Sequence, residues 1–406
     1  MPRLIAYQKA QRRILKAVEL LPTEKLPLSR ACGLVLAQEI AADGDLPPFD
    51  RSAMDGYAVR AADTGGAPVR LKVIGEIIPG NAPDLNVGPG EAARIMTGAP
   101  VPPGADAVQI VEVCQERDGF VEIGEEVATG RNIAPRGEDA AAGDVLLQAG
   151  AVVTPGVVAL AASVGAVQIE VRRRPKVTIA ATGNEIISPE NQPSPGRIRN
   201  ANSPSLAARL QAAGAEVTDA GIANDDREEI ARLISQAPEA DVVVLTGGVS
   251  MGRYDFVKEI LQSAGADILF SGVSVKPGKP TTAAKLDRRL VFALPGNPVS
   301  CLVTAELFVV PALRAMMGFA SPLPLVFRAE LLGEIAADSG RTLFYPAKLK
   351  WTDGVSSVKP LRYHGSGDFA DFAAAEALVI VPPQCNLRQN EIVDIIPLEG
   401  AGWCVG

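Results

Sequence analysis

The sequence predicts a multidomain α/β and β protein whose central domain is doubly wound around a mostly parallel sheet. The first observation is an apolar run, Val242 to Leu245, which leads into Thr246-Gly247-Gly248 and then a helical pattern. Short apolar runs rich in β-branched residues and bounded by glycine are typical of strands buried on both faces. The second observation is that three further apolar runs, 176–181, 267–275 and 290–294, also end in polar or charged loops. The third is length, because 406 residues exceed one ordinary core and predict two to four domains.

The first part of the chain is predicted to be helical and then rich in short strands. Residues 1–44 carry an amphipathic helical pattern with four apolar residues on one stripe: Ile14, Leu15, Val18 and Leu21. From 45 to 139 the chain is dense in glycine and proline and holds short apolar runs, a spacing that favours a small all-β domain. Thr154-Pro155 then supplies an N-cap and an N1 proline for a helix that runs through Ser163 and ends at Gly165.

Helices are predicted between the strands of the central domain. Ser203-Pro204 begins one helix, which Gly214 ends. Asp225 or Asp226 caps the next helix. Asn297-Pro298 caps the last one.

The last part of the chain is predicted to contain a buried helix and a small barrel. The apolar stretch 299–317 contains Glu306 and Arg314, so it is predicted to be a core helix rather than a membrane span, with a kink at Pro311. After a Pro-rich linker, residues 325–406 alternate short strands with turns and predict a small β-barrel.

Composition and charge exclude several classes of function. The net charge is −8 and the pI is near 5.0, which argues against a nucleic-acid binder. The five cysteines are odd in number and contain no C-x-x-C pair, which indicates a reducing cytoplasm and no zinc framework. The single histidine, His364, lies in a loop-like stretch and excludes His-rich metal sites. The N-terminus has no signal-peptide pattern, so we expect a cytoplasmic protein that does not associate with membranes.

The candidate active site is the rim formed by the ends of the four predicted strands. Ligands of open α/β sheets bind beyond the carboxyl ends of the strands. Four loops on one rim would bring together two carboxylates, two lysines and a helix N-terminus: Glu185, Asp255, Lys276, Lys279 and Asn297-Pro298. Gly247 and Gly248 allow backbone N–H groups to turn toward one anion. The alternative interpretation of the glycine loop is a tight βα connection without a ligand.

Seven segments, in order along nearly the whole chain, carry a resemblance to a known family. They are Pro48–Arg60, Arg94–Val101, Arg136–Asp139, Thr182–Glu185, Gly247–Asp255, Lys276–Pro280 and Leu294–Ser300. With these segments the chain resembles the molybdopterin molybdenumtransferases, the molybdenum insertases of molybdenum cofactor biosynthesis. One departure is Asn184, where the family often carries aspartate.

The resemblance implies a domain organisation and an assembly. It implies a discontinuous helical dimerisation domain formed by 1–44 and 140–172, and a β domain inserted at 45–139. An α/β molybdopterin-binding domain over 173–320 and a C-terminal barrel over 325–406 follow. It also implies a homodimer whose active-site cleft lies between the α/β domain of one subunit and the β domain of the other.

The implied reaction uses adenylylated molybdopterin and molybdate, yields molybdenum cofactor and AMP, and needs a divalent cation, usually Mg²⁺. Other proteins of molybdenum cofactor biosynthesis are possible partners. The substrate contains a pyrophosphate, for which Gly247, Gly248 and Ser250 could supply donors. Carboxylates suit Mg²⁺, and the candidates for this role are Glu185, Asp255 and one of Asp225 and Asp226.

Molybdate is a tetrahedral dianion and requires fixed donors and cations. The candidates are Lys276, Lys279, Arg341 and Ser300, the last in the first turn of a helix. The resemblance adds Ser366 from the barrel, and Pro295 and Pro298 belong to the matching segment around Ser300. It also places Asp55, Thr97 and Asp139 of the β domain in the cleft. Turn and cap roles are the alternatives, since Asp55-Gly56 is a turn signal by itself.

Three other functions compete with molybdenum insertion. The same α/β domain could serve a molybdopterin adenylyltransferase or a nucleotide amidohydrolase, but those relatives lack the β domain that contains Ser52–Tyr57. A dimeric scaffold without catalysis is the third alternative. The polar residues of the rim are all present, and no appended interaction tail is recognisable, so an enzyme is favoured.

Overall fold

The computed structural model describes residues 4–235, 237, 239–247, 254–337, 339–352 and 355–398. The chain divides into two compact units. The first contains Met1–Ala37, Gly150–Thr154 and Glu170–Gly406, and the second contains Gln38–Ala149 and Pro155–Ile169. The division into four domains stays a prediction.

The N-terminal segment is helical over a shorter range than the pattern predicts. Its elements are α1 (Tyr7–Ala17), β1 (Thr23–Pro27) and α2 (Leu28–Ala31). Helix α1 ends because Val18 adopts extended backbone angles, so Leu21 of the predicted stripe lies outside the helix. Ile14 and Leu21 are nevertheless both buried in the core of the first unit.

The second unit confirms the predicted β domain. The elements of this part of the chain are β2 (Ile40–Ala41), β3 (Arg51–Ser52), β4 (Gly56–Val59), β5 (Val69–Ile77), β6 (Glu91–Ile95), β7 (Ala107–Ile110), β8 (Cys114–Arg117), β9 (Phe120–Ile123), β10 (Ile133–Ala134), β11 (Val145–Leu147), α3 (Pro155–Ser163) and β12 (Gln168–Arg172). Six of the strands form one sheet in the order β7-β4-β6-β5-β9-β8. Helix α3 matches the predicted helix, and Gly165 follows it at a φ of 71°.

The close packing of this sheet explains one conspicuous glycine. Strand β4 lies between β6 and β7, and a Cβ atom on Gly56 would lie 1.9 Å from the carbonyl oxygen of Gln109 on β7. Asp55-Gly56 is therefore more than a turn signal, because the glycine permits the approach of the neighbouring strand.

The first unit contains the predicted α/β domain. Its elements are β13 (Lys176–Thr182), β14 (Ile186–Ile187), β15 (Ile198–Arg199), α4 (Asn202–Ala212), β16 (Glu216–Ala223), α5 (Arg227–Ser235), β17 (Val242–Gly247), α6 (Tyr254–Ser263), β18 (Asp267–Ser271), β19 (Val275–Lys276), β20 (Thr282–Leu286), β21 (Arg289–Leu294), α7 (Pro298–Thr304) and α8 (Val310–Met316). A six-stranded sheet has the order β16-β13-β17-β21-β20-β18. Strands β16, β13, β17 and β21 are parallel, and β20 is antiparallel to both of its neighbours.

Helices cover both faces of this sheet, as the doubly wound prediction requires. On one face, Val244 and Phe292 belong to the same core as Leu206 of α4. On the other, Val243 and Leu245 pack with residues of α5 and α6, including Ile230 and Leu261. The successive residues of β17 thus point to opposite cores, which explains the unbroken apolar run.

The last apolar stretch is a buried helix with an irregular middle. A π-helical segment, Ala305–Val309, separates α7 from α8 and lies just before Pro311. Proline cannot donate to the carbonyl four residues earlier, and Gln11 of α1 instead donates a 3.1 Å hydrogen bond to the carbonyl oxygen of Leu307. Pro298–Met316 is long and apolar enough to cross a membrane, but 83% of it is buried inside the protein.

The C-terminal segment forms the predicted barrel. Its elements are β22 (Phe327–Leu331), β23 (Thr342–Thr352), β24 (Val355–Pro360), α9 (Phe369–Phe372), β25 (Ala377–Val381) and β26 (Ile392–Pro397). The order β23-β24-β22-β26-β25 closes through pairing of β25 with β23. Strand β19 of the α/β domain adds to β23 in parallel, with Val275 opposite Thr342 and Lys276 opposite Leu343.

Candidate active site

The strand ends that the sequence singled out share one edge of the sheet. Thr182 at the end of β13 is opposite Gly247, and Thr246 is opposite Leu294 at the end of β21. The next pairings, Ala293 with Thr282 and Thr282 with Ser271, bring the end of β18 to the same edge. The apolar run 267–275 is interrupted because Gly272 has a φ of 85°, so β18 ends at Ser271 and β19 is a separate short strand.

A cavity of about 790 Å³ opens beyond these strand ends. Its walls include eleven of the residues that the sequence selected: Glu185, Asp225, Gly247, Lys276, Lys279, Pro295, Pro298, Ser300, Arg341, Ser366 and Asn297. The barrel contributes Ser366 and Arg341, and the α/β domain contributes the others. The predicted convergence of several loops on one rim therefore has a physical counterpart in the first unit.

The two carboxylates that the described residues contribute to the cavity lie at the end formed by β13 and β16, which we name the acidic end (Glu185 and Asp225). Asn184 is next to this pair, and its side-chain oxygen accepts a 3.2 Å hydrogen bond from the backbone N–H of Asp225. Arg197 donates to the carbonyl oxygen of the same asparagine. Asn184 thus links the loop after β13 to the loop after β16, a role that an amide performs without adding a third negative charge.

Three of the four cationic side chains that the described residues contribute to the cavity lie at the other end, beyond β18 and β21 and against the barrel. We name this the basic end (Lys276, Lys279 and Arg341). The fourth cationic side chain, Arg199 of β15, lies on the side of the acidic end and donates to the carbonyl oxygen of Asn191. Arg341 donates a 3.0 Å hydrogen bond to the carbonyl oxygen of Val275, which ties the barrel to the lysine segment. Neither lysine forms an ion pair within the part of the chain that the structure describes.

Two serines complete the basic end. Ser300 is buried in the first turn of α7, where the helix dipole favours an anion. Ser366 accepts a 2.7 Å hydrogen bond from the side-chain nitrogen of Asn297. Asn297 occupies the N-cap position but makes no side-chain cap, because its amide is directed to the barrel instead.

Comparison with known proteins covers almost the entire chain. Residues 5–165 match the family model of the MoeA N-terminal region (domains I and II). Residues 178–315 match a model described as a probable molybdopterin binding domain, and residues 328–398 match the MoeA C-terminal region (domain IV). The chain belongs to the MoeA family.

Relatives and solved structures agree with this assignment. A protein of Staphylococcus aureus named molybdopterin molybdenumtransferase is 35% identical over 401 residues, 97% of this chain and 96% of the relative. A Bacillus subtilis protein of the same name is 38% identical over 387 residues, 93% of this chain and 90% of the relative. Two crystal structures of a MoeA protein from Pyrococcus horikoshii align with TM-scores of 0.81 and 0.84, at 34% and 32% identity. They cover 98% and 97% of this chain, respectively, and 100% of each solved chain.

The MoeA match confirms the predicted family and the predicted enzyme class, a transferase of molybdenum cofactor biosynthesis. It also disfavours the rival enzymes, because the matched N-terminal region includes the β domain that we expect those relatives to lack. The requirement for Mg²⁺, the homodimer and the cytoplasmic location stay predictions.

The β-domain residues of this MoeA chain form a local cluster in the second unit. One carboxylate oxygen of Asp55 accepts hydrogen bonds of 2.7 Å from both the backbone N–H and the hydroxyl of Thr97. The backbone bond, followed by the hydroxyl bond, holds the pKa of Asp55 below its ordinary value. Asp139 lies in the same unit, with a carboxylate oxygen 4.0 Å from the guanidinium of Arg51. Their role in a cleft with the α/β domain stays a prediction.

Several predicted residues lie elsewhere or outside the described residues. Asp226 does not line the cavity, and its carboxylate accepts from the backbone N–H groups of Glu228 and Glu229, so it caps α5. Asp225, its neighbour, is the one of the pair that faces the cavity. Gly248, Ser250 and the side chain of Asp255 lie outside the described residues.

Glycine at the centre of the cavity is required by close backbone contact. Gly247 has a φ of 99°, and a Cβ atom there would lie 2.0 Å from the carbonyl oxygen of Thr182. At the basic end, Gly278 has a φ of 112°, and a Cβ atom would lie 2.3 Å from the Cγ2 atom of Thr304. Both positions combine a left-handed backbone with a contact that leaves no room for a side chain.

Sequence reasoning missed the polar residues between the two ends. Asn202 and Thr246 line the cavity, and both are buried. The Asn202 amide donates a 2.8 Å hydrogen bond to the Thr246 hydroxyl. A signal was available in Asn200-Ala201-Asn202, where two asparagines immediately precede a predicted helix. Ala201 occupies the N-cap position of α4, and the side-chain oxygen of Asn200 accepts a hydrogen bond from the backbone N–H of Ser203 in the first turn.

Proposed function

We propose that the chain inserts molybdenum from molybdate into adenylylated molybdopterin, with release of AMP and formation of molybdenum cofactor. The observation that carries this proposal is the separation of charge along one cavity. Glu185 and Asp225 lie at the acidic end, and Lys276, Lys279 and Arg341 lie at the basic end. An enzyme that joins an oxyanion to a substrate bearing a pyrophosphate needs both kinds of surface side by side.

The basic end is suited to molybdate, a tetrahedral dianion. The two ammonium groups neutralise its charge, and the planar guanidinium of Arg341 offers donors for two oxygens of one ion. Hydroxyl groups of Ser300 and Ser366 supply further donors, one from α7 and one from the barrel. Fixed donors of this kind orient the ion before it meets the sulfur atoms of the dithiolene on molybdopterin.

The acidic end is suited to Mg²⁺ bound together with the pyrophosphate. Proteins usually hold this ion with one or two carboxylates plus substrate phosphates and waters. The described residues contain no group of three metal-ligating side chains, so a site made of Glu185, Asp225 and phosphate oxygens fits the donors present. Asp255 is a further candidate from the sequence. When bound, Mg²⁺ would neutralise phosphate charge and thereby favour the departure of AMP.

The assembly and the location extend the same proposal. A homodimer would let Asp55, Thr97 and Asp139 of one subunit complete the cavity of the other. Asp55 is exposed and suits this role, because Thr97 donates to only one of its two carboxylate oxygens. We expect the protein to act in the cytoplasm, where other proteins of cofactor biosynthesis could deliver the substrate.

The decisive experiment measures AMP release from adenylylated molybdopterin by the purified protein with Mg²⁺, with and without molybdate. We expect release to depend on molybdate and molybdenum to be recovered bound to molybdopterin. Release at the same rate without molybdate would instead indicate a hydrolase of the adenylylated substrate. No release under either condition would reject the proposal.

Subunit mixing tests the composite site. Asp55→Ala and Glu185→Ala chains should each be inactive alone, and their mixture should recover part of the wild-type turnover because one hybrid cleft is intact. The control is the Asp55→Ala, Glu185→Ala double variant, whose dimers contain no intact cleft and should stay inactive. Absence of recovery, despite subunit exchange demonstrated by two affinity tags, would show that each site is built within one chain.

A further inference from the structure

Asn202 has an unusual hydrogen-bonding environment at the middle of the cavity. It is the first residue of α4, only 9% of its surface is exposed, and it lines the cavity. Its side-chain nitrogen donates two hydrogen bonds of 2.8 Å, one to the hydroxyl of Thr246 and one to the carbonyl oxygen of Gly296. A carbonyl oxygen can only accept, so the orientation of the amide is determined by its contact with Gly296.

The other side-chain atom of Asn202, Oδ1, is buried and has no hydrogen-bond partner among the described residues. Both protons of the amide nitrogen are already used, so the side chain cannot rotate to satisfy the oxygen without losing two bonds. A buried acceptor without a donor is unfavourable and is uncommon in folded proteins. This oxygen is therefore an acceptor held in place for a donor that the described part of the chain does not supply.

The chemistry of the proposed substrates limits what that donor can be. Molybdate and ionised phosphates offer acceptors only, so they cannot satisfy a carbonyl oxygen. The N–H and O–H donors of adenylylated molybdopterin are the N–H groups of its two heterocycles, the pterin and the adenine, and the hydroxyl groups of its ribose. A neutral amide can accept from any of these donors without adding charge between the acidic and basic ends of the cavity.

We infer that Asn202 is a substrate-positioning residue whose Oδ1 atom accepts a hydrogen bond from an uncharged donor of adenylylated molybdopterin, either a heterocyclic N–H or a ribose hydroxyl. This inference rests on the proposed function. The two amide protons hold the end of β17 and the loop before α7 together, and the oxygen contacts the substrate. The same side chain thus holds two segments of the cavity wall together and orients the substrate.

The test compares Asn202→Ala with Thr246→Val, which removes one hydrogen-bond partner of the same amide but leaves Oδ1 in place. Affinities are measured for adenylylated molybdopterin, for molybdopterin alone and for AMP alone. We expect Asn202→Ala to weaken binding of the full substrate by about 10- to 100-fold. Thr246→Val should weaken it by less than about threefold. A loss for molybdopterin alone would place the donor on the pterin, and a loss for AMP alone would place it on the adenosine.

Three outcomes would overturn the inference. Equal losses in both variants would show that the amide only supports the loops. Unchanged affinity in Asn202→Ala, or a loss for neither fragment, would show that Oδ1 serves an ordered water only. If Asn202→Ala does not fold, the same affinities are measured on Asn202→Leu, which retains the side-chain volume. Failure of the wild-type protein to release AMP in response to molybdate would instead reject the proposed function, independently of these affinities.

Discussion

The acidic and basic ends of the cavity are built in different ways. The acidic end uses loops after two adjacent strands, β13 and β16, and the Asn184 amide joins them through the backbone N–H of Asp225. The basic end combines a segment after β18, the start of α7 and two residues of the barrel. Its positions depend on the pairing of β19 with β23 and on the bond between Asn297 and Ser366.

This difference has consequences for how each end responds to change. The acidic end is a property of the α/β sheet, so a conservative substitution there removes charge and leaves the local geometry in place. The basic end depends on the contact between two domains of the first unit, so small steric changes there move several cations together. Substitutions at the two ends should therefore affect different steps and differ in their effect on stability.

The largest effect is expected at the acidic end. Glu185→Gln and Asp225→Asn each remove one negative charge with little change in volume, and each should lower turnover by about 10²- to 10³-fold. The Mg²⁺ concentration for half-maximal turnover should rise as well, because a ligand has lost its charge. Rates are measured as AMP release over a range of Mg²⁺ concentrations.

Asp226→Asn is the matched control for this prediction. Asp226 is adjacent in sequence but caps α5, and asparagine is an equally good capping residue. Its turnover and Mg²⁺ requirement should remain close to the wild-type values. If Asp226→Asn loses as much activity as Asp225→Asn, the acidic end is incorrectly assigned.

The next effect is steric and concerns the basic end. Gly278→Ala places a methyl group 2.3 Å from the Cγ2 atom of Thr304 at a left-handed φ of 112°. Backbone strain and overpacking together should lower the free energy of unfolding by about 2–4 kcal/mol, as followed by urea denaturation. Gly340→Ala is the control, since nothing lies within 4 Å of a Cβ atom there. Equal stability of the two variants would contradict the predicted strain.

A smaller effect is expected when single cations of the basic end are removed. Lys276→Ala, Lys279→Ala and Arg341→Ala should each raise the molybdate concentration for half-maximal turnover by about 10- to 100-fold, as expected for loss of a charge-assisted hydrogen bond. The affinity for adenylylated molybdopterin should change less. Both quantities are obtained by titration of each variant.

Lys285→Ala controls for general loss of positive charge, because Lys285 pairs with Glu19 and does not line the cavity. It should behave as the wild type. If substrate affinity collapses in the cavity variants while the molybdate requirement is unchanged, the lysines bind the pyrophosphate, and the oxyanion site is elsewhere.

The contrast between the two ends also explains what could be predicted from the sequence. The strands were accessible because apolar runs such as 242–245 and 290–294 report burial on both faces, and the loops after them had to share an edge. The identity of the capping residue could not be decided between Asp225 and Asp226. Either carboxylate can reach a backbone N–H, and the choice depends on which one the neighbouring Asn184 loop engages.

Contacts between distant segments were not accessible from local patterns. The sequence indicated Asn297 as a helix cap, yet its amide donates to Ser366, 69 residues away. The same holds for Asn202, whose partners are Thr246 at the end of β17 and Gly296 in the loop before α7. Such bonds depend on how the barrel and the loops pack, and periodicity carries no information about that packing.

The smallest effect is expected for Tyr363, a tyrosine in the cavity wall beside the basic end. Burial is the main cause that raises its pKa to about 12, with further contributions from Asp368 and Tyr345. The phenol is therefore protonated at neutral pH and does not act as a base, so Tyr363→Phe should keep turnover within about threefold of wild type.

Alkaline titration tests the state of the same phenol. A group whose folded pKa lies above its unfolded value of 10 supports the fold fully below pH 10 and loses that support as the pH rises through 12. Wild-type protein should thus lose more stability than Tyr363→Phe between pH 10 and 12. The increase in phenolate absorbance near pH 12 should be smaller in Tyr363→Phe than in the wild type. Part of that increase should remain, because the pKa of Tyr57 is also raised to about 12. Loss of amplitude near pH 10 instead would show that Tyr363 is solvated, and the wall of the basic end would then be open to water.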